Sequence, residues 1–418
     1  MSNLDESVRT VCHKARLASP ALASAGDGQK NRILEAIART LRTNKPAILE
    51  ANQKDLEDAK ASGYPTPMLD RLLLNEKRID GICDSVLDLV RLQSPVGSGD
   101  RFVRPNGLVI MRTRVPLGVV GIIYEARPNV TVDTAALCLK TGNAIVLRGG
   151  KEALRSNRIL VDLMRKALSE ESFDPDLIGF VDATSRESAL ALMSCREDVD
   201  VLIPRGGKGL IRACAENAKI PLLETGAGNC HLYVDDSADL KKALAIAVNA
   251  KCQRPSVCNA IETLLVHKDV AKAFLPPFAD MTESYSLELR GCPETCALLS
   301  KAVPASEEDW DTEYDAYILA VKVVSGIDEA IAHINRYSTH HSEAIVTENL
   351  AHARRFQQEI DSACVYVNAS TRFTDGGEFG FGAEVGISVQ KLHARGPMGL
   401  EALTTVKYLI EGDGQIRS

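Results

Sequence analysis

The sequence predicts an α/β protein built on mostly parallel sheets. Three observations carry that prediction. From about Val119 onward, short β-rich runs alternate with amphipathic stretches. The alternation comes in two successive series. No internal repeat or low-complexity tract breaks it. A strand that returns parallel to its neighbour needs a crossover, and a helix is the usual one, so both sheet faces are covered. A chain of 418 residues exceeds one ordinary core and suits two or three domains.

The first hundred residues read as helical. Ile33, Leu34, Ile37 and Leu41 recur at spacings that share one helix face. Pro46 opens the next helix, followed by Ile48, Leu49 and Ala51. In the first alternating series the expected strands are 119–123, 145–147, 178–181, 201–203, 221–223 and 232–234. The helices between them are 133–140, 152–168, 187–195 and 208–217. The second series has strands 262–266, 318–324, 344–346 and 364–367, with helices near 238–250, 327–335 and 350–360. Residues 276–315, rich in Pro, Gly and acidic groups, read as irregular. Two stretches, 108–115 and 404–410, read as ribbons that pair with each other or with another subunit.

Composition narrows the function. Apolar residues make up 45% and charged residues 25%, average globular values that argue against disorder. The net charge of -7 argues against a nucleic-acid partner, which needs a basic patch. No apolar run is long enough for a membrane span, and the charged N-terminus lacks the pattern of a secretory signal. Eleven cysteines at irregular spacing suggest reduced thiols and a cytoplasmic location. Cys292 and Cys296 form C-x3-C without a second Cys/His pair nearby, so no metal site is expected.

The common cofactor and hydrolase motifs are absent: no G-x-G-x-x-G after a strand, no P-loop, no G-x-S-x-G and no H-E-x-x-H. The most informative segment is NAKCQRPSVCN (residues 249–259). It holds two cysteines, two cations (Lys251 and Arg254) and a helix-ending Pro255, between a helix and a strand. Nearby cations raise the thiolate fraction of Cys258, and a thiolate attacks activated acyl groups. Read locally, Cys258 is either such a nucleophile or a small core hydrophobe. Cys252, still within the helix, reads as packing.

Four segments in order along the chain resemble the γ-glutamyl phosphate reductase family of the aldehyde dehydrogenase superfamily. They are VPLGVVGIIYEARPN (115–129), TGNAIVLRGGK (141–151), QRPSVCNAIET (253–263) and EFGFGAEVGIS (378–388). The resemblance implies an aldehyde-dehydrogenase-like fold. Residues 1–234 would form an NADP-binding domain, with 101–118 as a β-ribbon excursion. Residues 235–395 would form the catalytic domain, and 396–418 a C-terminal oligomerisation strand.

The resemblance also assigns roles. Cys258 matches the catalytic cysteine, and Asn129 the asparagine whose amide stabilises the oxyanion. Read locally, Asn129 is a turn residue after Pro128. Glu224, in ETGAG, matches the glutamate that activates water in hydrolytic relatives. Reduction needs no water, which leaves Glu224 with proton handling or structure. Arg148 matches a lysine that touches the adenosine ribose. Lys151 stands where NAD-preferring relatives carry a glutamate, and a cation there attracts a 2′-phosphate, which favours NADPH. Read locally, both are solvated cations at a helix start. Arg205, Gly206, Gly207 and Gly209 match the loop and helix start that meet the pyrophosphate. Glu313 matches a glutamate on the nicotinamide ribose. Arg254, Arg127 and Arg372 are candidates for holding substrate, with no spacing argument to rank them. Gly380 and Gly382, with Phe379 and Phe381, match a loop near the substrate funnel.

The implied reaction is NADPH-dependent reduction of γ-glutamyl phosphate to glutamate-5-semialdehyde in proline biosynthesis, by a homo-oligomer that takes its substrate from glutamate 5-kinase. Two rivals stand beside it. A hydrolytic, NAD-using aldehyde dehydrogenase is kept open by Glu224 and opposed by Lys151 and the YEARPN motif. A silent binding subunit is opposed by the intact Cys258, Asn129 and glycine loop.

Overall fold

The computed structural model describes residues 3–417. They form two compact units. The first comprises residues up to 225 together with 380–386 and 398 onward; the second comprises 226–379 and 387–397.

The first unit begins with five helices: α1 (Asn3–Ala23), α2 (Asp27–Thr43), α3 (Lys45–Ala61), α4 (Thr66–Leu72) and α5 (Glu76–Arg91). Ile33, Leu34, Ile37 and Leu41 are all buried on α2, as their spacing predicts. Pro46 sits in the first turn of α3, where its missing N–H costs nothing. Next come β1 (Gly99–Val103) and β2 (Val109–Pro116), an antiparallel ribbon. The C-terminal strand Thr404–Glu411 completes it, pairing antiparallel with β2 from Thr404↔Pro116 to Glu411↔Val109. The two ribbon segments of the sequence therefore pair with each other.

The rest of this unit is β3 (Val119–Tyr124), α6 (Pro128–Lys140), β4 (Ala144–Arg148), α7 (Leu154–Glu170), β5 (Ile178–Phe180), α8 (Arg186–Met193), β6 (Val201–Arg205) and α9 (Lys208–Asn217). The strands form a parallel sheet in the order β5-β4-β3-β6. Every residue of β3 and β4 is buried, as expected of strands covered on both faces. The strand expected at 221–223 is reduced to one bridge, Leu202↔Leu222. Pro221 has no N–H to extend the ladder. Helix α6 starts five residues before the expected 133, because Pro128 presets the dihedral of its first turn. That shift places Asn129 on a helix rather than in a turn.

The second unit contains β7 (Cys230–Val234), α10 (Leu240–Cys252), β8 (Ile261–His267), α11 (Lys268–Thr282), β9 (Glu288–Gly291), α12 (Pro293–Leu298), β10 (Val303–Pro304), β11 (Ile318–Val324), α13 (Ile327–Tyr337), β12 (Ser342–Val346), α14 (Leu350–Glu359) and β13 (Cys364–Val367). They build a seven-stranded parallel sheet, β10-β9-β11-β8-β7-β12-β13. Side chains alternate across it. Leu232, Val234, Leu264 and Val266 pack with Ala243, Ala247, Phe274 and Phe278 of α10 and α11. Tyr233, Leu265 and Ile345 pack with Ile331, Ile334 and Phe356 of α13 and α14.

Two sequence expectations change here. Residues 226–234 group with the second unit, because β7 pairs with β8 and β12 rather than with the first sheet. The stretch 276–315 is more regular than its composition suggests. Helix α11 runs through Pro276 and Pro277, and Phe274 and Phe278 stack across them at 5.9 Å, both buried. Tertiary packing outweighs the loss of the prolines' helical hydrogen bonds. Downstream, β9 and β10 extend the sheet at its edge.

Candidate active site

Cys258 lies on the loop between α10 and β8, the two elements whose packing fixes its ends. Of the eleven cysteines only Cys258 and Cys296 escape full burial. Burial pushes the Cys252 thiol up to about 11, which suits packing rather than attack. Cys296 donates to the Gly291 carbonyl at 3.4 Å, and Cys292 accepts from the Val323 N–H at 3.3 Å.

The main chain at Cys258 is held from two sides. Its carbonyl accepts a hydrogen bond from the Cys230 thiol at 3.2 Å. The Gly228 backbone lies so close that a Cβ there would overlap the Cys258 carbonyl and reach its Cα at 2.6 Å. The Gly228 N–H donates to Glu313 Oε1 at 2.7 Å. In this structure Glu313 therefore braces the segment that presses on the nucleophile loop.

Asn259, next to Cys258, ties the loop to the short helical turn Thr371–Phe373. Its Nδ2 donates to the Thr374 carbonyl at 2.9 Å, its Oδ1 accepts from the Arg372 guanidinium, and its carbonyl accepts from Thr371 Oγ1 at 2.6 Å. Arg372 Nε also donates to Gln253 Oε1 at 3.1 Å. These bonds bring Arg372 within electrostatic reach of Cys258 and of Arg254. Burial holds the Arg372 pKa below its usual value, and the Arg254 charge lowers it further, while a negative charge on Cys258 raises it. Two neighbouring guanidiniums in a partly desolvated site favour an anion beside them, whether thiolate or acyl phosphate.

The two local cations expected from the sequence divide. Lys251 is fully buried and paired with Glu262, also buried, so its charge is answered within the core. Burial raises the Glu262 carboxyl, and the Lys251 ammonium pulls it back toward the charged form. Arg372, more than a hundred residues downstream, supplies the second cation at Cys258.

In the first unit, α6 carries Asn129 in its first turn. Asn129 Nδ2 donates to Asp133 Oδ2 at 2.9 Å. The chain enters α6 through Ala126, whose φ of 40° lies in the left-handed region. Glu152 Oε1 accepts the Ala126 N–H at 2.5 Å and holds that turn. Arg127 is the residue just before α6 and is half-buried. At the N-terminus of α9 the Gly207 N–H donates to Glu125 Oε2 at 2.9 Å. That helix end thus already holds a carboxylate. Arg205 ends β6 with its Nε buried and unpaired.

The chain matches the model of the aldehyde dehydrogenase family over residues 3–295 and 297–409. It is 56% identical over 415 residues to a gamma-glutamyl phosphate reductase of Carboxydothermus hydrogenoformans, covering 99% of this chain and 100% of the relative. A protein of the same name from Petrotoga mobilis is 54% identical over 416 residues, with 99% and 100% covered. This chain belongs to the γ-glutamyl phosphate reductase group of the aldehyde dehydrogenase family. The crystal structure of gamma-glutamyl phosphate reductase from Thermotoga maritima superposes with a TM-score of 0.95 at 50% identity, over 98% of this chain and 100% of that one. An acetylating aldehyde dehydrogenase from Geobacillus thermoglucosidasius, 16% identical, shares the fold with a TM-score of 0.74 over 99% and 98%.

Aldehyde dehydrogenases use nicotinamide cofactors. The α9 N-terminus binds an anion in the form of Glu125, and Lys151 is exposed at the start of a short helical turn. Arg148 is more constrained than its expected ribose contact suggests. Its Nη2 donates to the carbonyls of Thr184 at 2.6 Å and Ser185 at 2.9 Å, while its Nε stays buried and unpaired. Glu224 is half-buried in the segment after the Leu202↔Leu222 bridge. Gly380 and Gly382 adopt left-handed φ values of 77° and 74°, which explains glycine at both, and Phe379 and Phe381 are exposed.

Sequence reasoning missed Asp133, Glu125, Gly228 and Asn259. For Asp133 a signal existed: it stands four residues after Asn129, on the same face if 128–140 is read as one helix.

Proposed function

We propose that this protein reduces γ-glutamyl phosphate to glutamate-5-semialdehyde with NADPH, releasing phosphate, as a step of proline biosynthesis. The observation that carries the reading is the setting of Cys258: a half-buried thiol on a clamped loop, in the field of Arg372. The full-length similarity to proteins named gamma-glutamyl phosphate reductase supports the substrate.

The mechanism follows from the chain's own groups. The Cys258 thiolate attacks the acyl carbon, and Asn129 stabilises the negative charge on the carbonyl oxygen. The carbon–oxygen bond to phosphate then breaks. Inorganic phosphate departs toward Arg372 and Arg254, and a Cys258 thioester remains. Lys151, Arg148, Arg205, Gly206 and Gly207 would hold NADPH, which when bound would supply the hydride that reduces the thioester carbon. Collapse of the Cys258 thiohemiacetal releases the aldehyde and regenerates the thiol. Glu313 acts as a brace on the Cys258 loop and a ribose contact, and Glu224 handles protons; Arg127 is assigned to the amino-acid head group.

The defining test runs the reaction backward, as phosphate-dependent oxidation of the semialdehyde with NADP. Turnover without phosphate would sink the reading in favour of a hydrolytic dehydrogenase. In this assay Arg372→Ala should raise KM for phosphate about 10- to 100-fold, the value of a lost charge-assisted hydrogen bond. An unchanged KM would remove Arg372 from the phosphate site. Lys151→Glu should move the ratio of kcat/KM for NADP over NAD toward NAD by about 10- to 100-fold, since a carboxylate repels a 2′-phosphate and accepts from ribose hydroxyls. An unmoved ratio would remove Lys151 from the cofactor site.

The edge strand Thr404–Glu411 exposes Val406, Tyr408 and Ile410 on one face, Tyr408 at 57% and Ile410 at 60%. An unpaired apolar edge of this kind suits a second copy of the chain and supports a homo-oligomer. Among the described residues no helix is long and apolar enough to cross a membrane. Cytoplasmic location and transfer of the labile acyl phosphate from glutamate 5-kinase complete the reading.

A further inference from the structure

We propose that Asp133 is a positioning residue that locks the side-chain amide of Asn129 in the one orientation able to donate to the oxyanion. The inference rests on the oxyanion role of Asn129 given above.

An asparagine amide offers two N–H groups on one edge and a carbonyl oxygen on the other. Rotation by half a turn exchanges the edges. For an oxyanion partner the two orientations are opposites, because one donates to the negative charge and the other repels it. Nothing in asparagine itself selects between them.

Asp133 supplies the selection. It lies four residues after Asn129 on α6, so the two side chains share a helix face. An ionised carboxylate accepts and does not donate. It holds Asn129 Nδ2 at 2.9 Å, and it would meet Oδ1 of the rotated amide with repulsion. One N–H is thereby used and the second remains for substrate. Pro128 at the start of α6 fixes the backbone that carries both residues. Burial raises the Asp133 carboxyl to about 6, with the Asn129 bond and the charge of Arg205 opposing the rise. At neutral pH the group is therefore mostly the acceptor the device needs. The bland alternative is an ordinary helix pair worth about 0.2–0.5 kcal/mol of stability and nothing in catalysis.

The test uses the full-length enzyme in phosphate-dependent semialdehyde oxidation. Asp133→Asn keeps the volume but offers Asn129 either edge. It should lower kcat about tenfold, less than the hundredfold or more for losing an oxyanion donor outright, with KM for semialdehyde and phosphate unchanged. Asp133→Glu keeps the obligatory acceptor and should retain about a third or more of the wild-type kcat. In an Asn129→Ala background, Asp133→Asn should have no further effect, because its target is gone. Alkylation of Cys258 by iodoacetamide creates no oxyanion, so its rate should stay unchanged in Asp133→Asn. Wild-type kcat in Asp133→Asn overturns the proposal. So does an equal loss in the Asn129→Ala background, or a parallel loss of alkylation rate, which would signal general distortion. If Asn129→Ala itself turns over normally, the oxyanion role fails first, and that result is distinct from a failure of Asp133 alone.

Discussion

Cys258→Ser is expected to abolish phosphate-dependent turnover, by more than about 10⁴-fold, while leaving the fold intact. The loss follows from proton chemistry. Arg372 lies within electrostatic reach of Cys258, and a nearby cation favours a thiolate over a thiol. A serine hydroxyl starts many units higher, and the same charge cannot bring it down. The fold should survive because main-chain and neighbouring groups hold the loop. Its carbonyl accepts from Cys230, Gly228 packs on its backbone, and Asn259 makes the bonds to Arg372, Thr371 and Thr374. The assay is NADP reduction with semialdehyde and phosphate, read beside circular dichroism and iodoacetamide labelling. Wild-type protein should show one fast-reacting thiol that Cys258→Ser lacks. Turnover near wild type in the serine variant would rule out this nucleophile.

The sequence pattern made much of this legible, and the exceptions have physical causes. Strands such as β3, β4 and β8 are wholly buried, so their apolar runs are continuous and easy to see. Helix α11 was hidden because two prolines argue locally for a break, while the buried Phe274–Phe278 stack acts through tertiary packing. The short strands β9 and β10 sit at a sheet edge and bury little, so no strong pattern marks them. At the site, Cys258 was marked by its own neighbours in the chain. The identity of its second cation was not. Lys251 looks the same in sequence as any cation beside a cysteine, and only the opposing position of Glu262 on β8 reveals that its charge is already answered. Arg372 is brought in by Asn259 across 113 residues of chain, a pairing that no local spacing encodes. On local grounds Asn129 reads as a turn residue, because a helix starting at 133 leaves it outside; its place in the first turn of α6 depends on Pro128.

Gly228→Ala is the second change expected to have a large effect, because it tests whether the position of Cys258 depends on backbone contact rather than on side chains. The Gly228 φ is not the issue; space is. A methyl group there would overlap the Cys258 carbonyl, an atom that cannot rotate away as a flexible side chain could. Either the strand entry before β7 or the nucleophile loop must move. The first choice strains the Gly228–Glu313 hydrogen bond, and the second strains the bond from the Cys230 thiol to the Cys258 carbonyl. Overpacking against backbone should cost about 3 kcal/mol, seen as a lower thermal midpoint. In protein that still folds, a displacement of about 1 Å at the sulfur should cost about a hundredfold in kcat. Gly81→Ala is the matched control. Its site on α5 has open space for a methyl group, and alanine there should raise stability by about 0.5–1 kcal/mol and leave kcat alone. If Gly228→Ala behaves like Gly81→Ala, the close approach is not what holds the nucleophile loop. The burden then falls on Asn259, and Asn259→Ala should reproduce the loss by releasing Arg372 and the loop together.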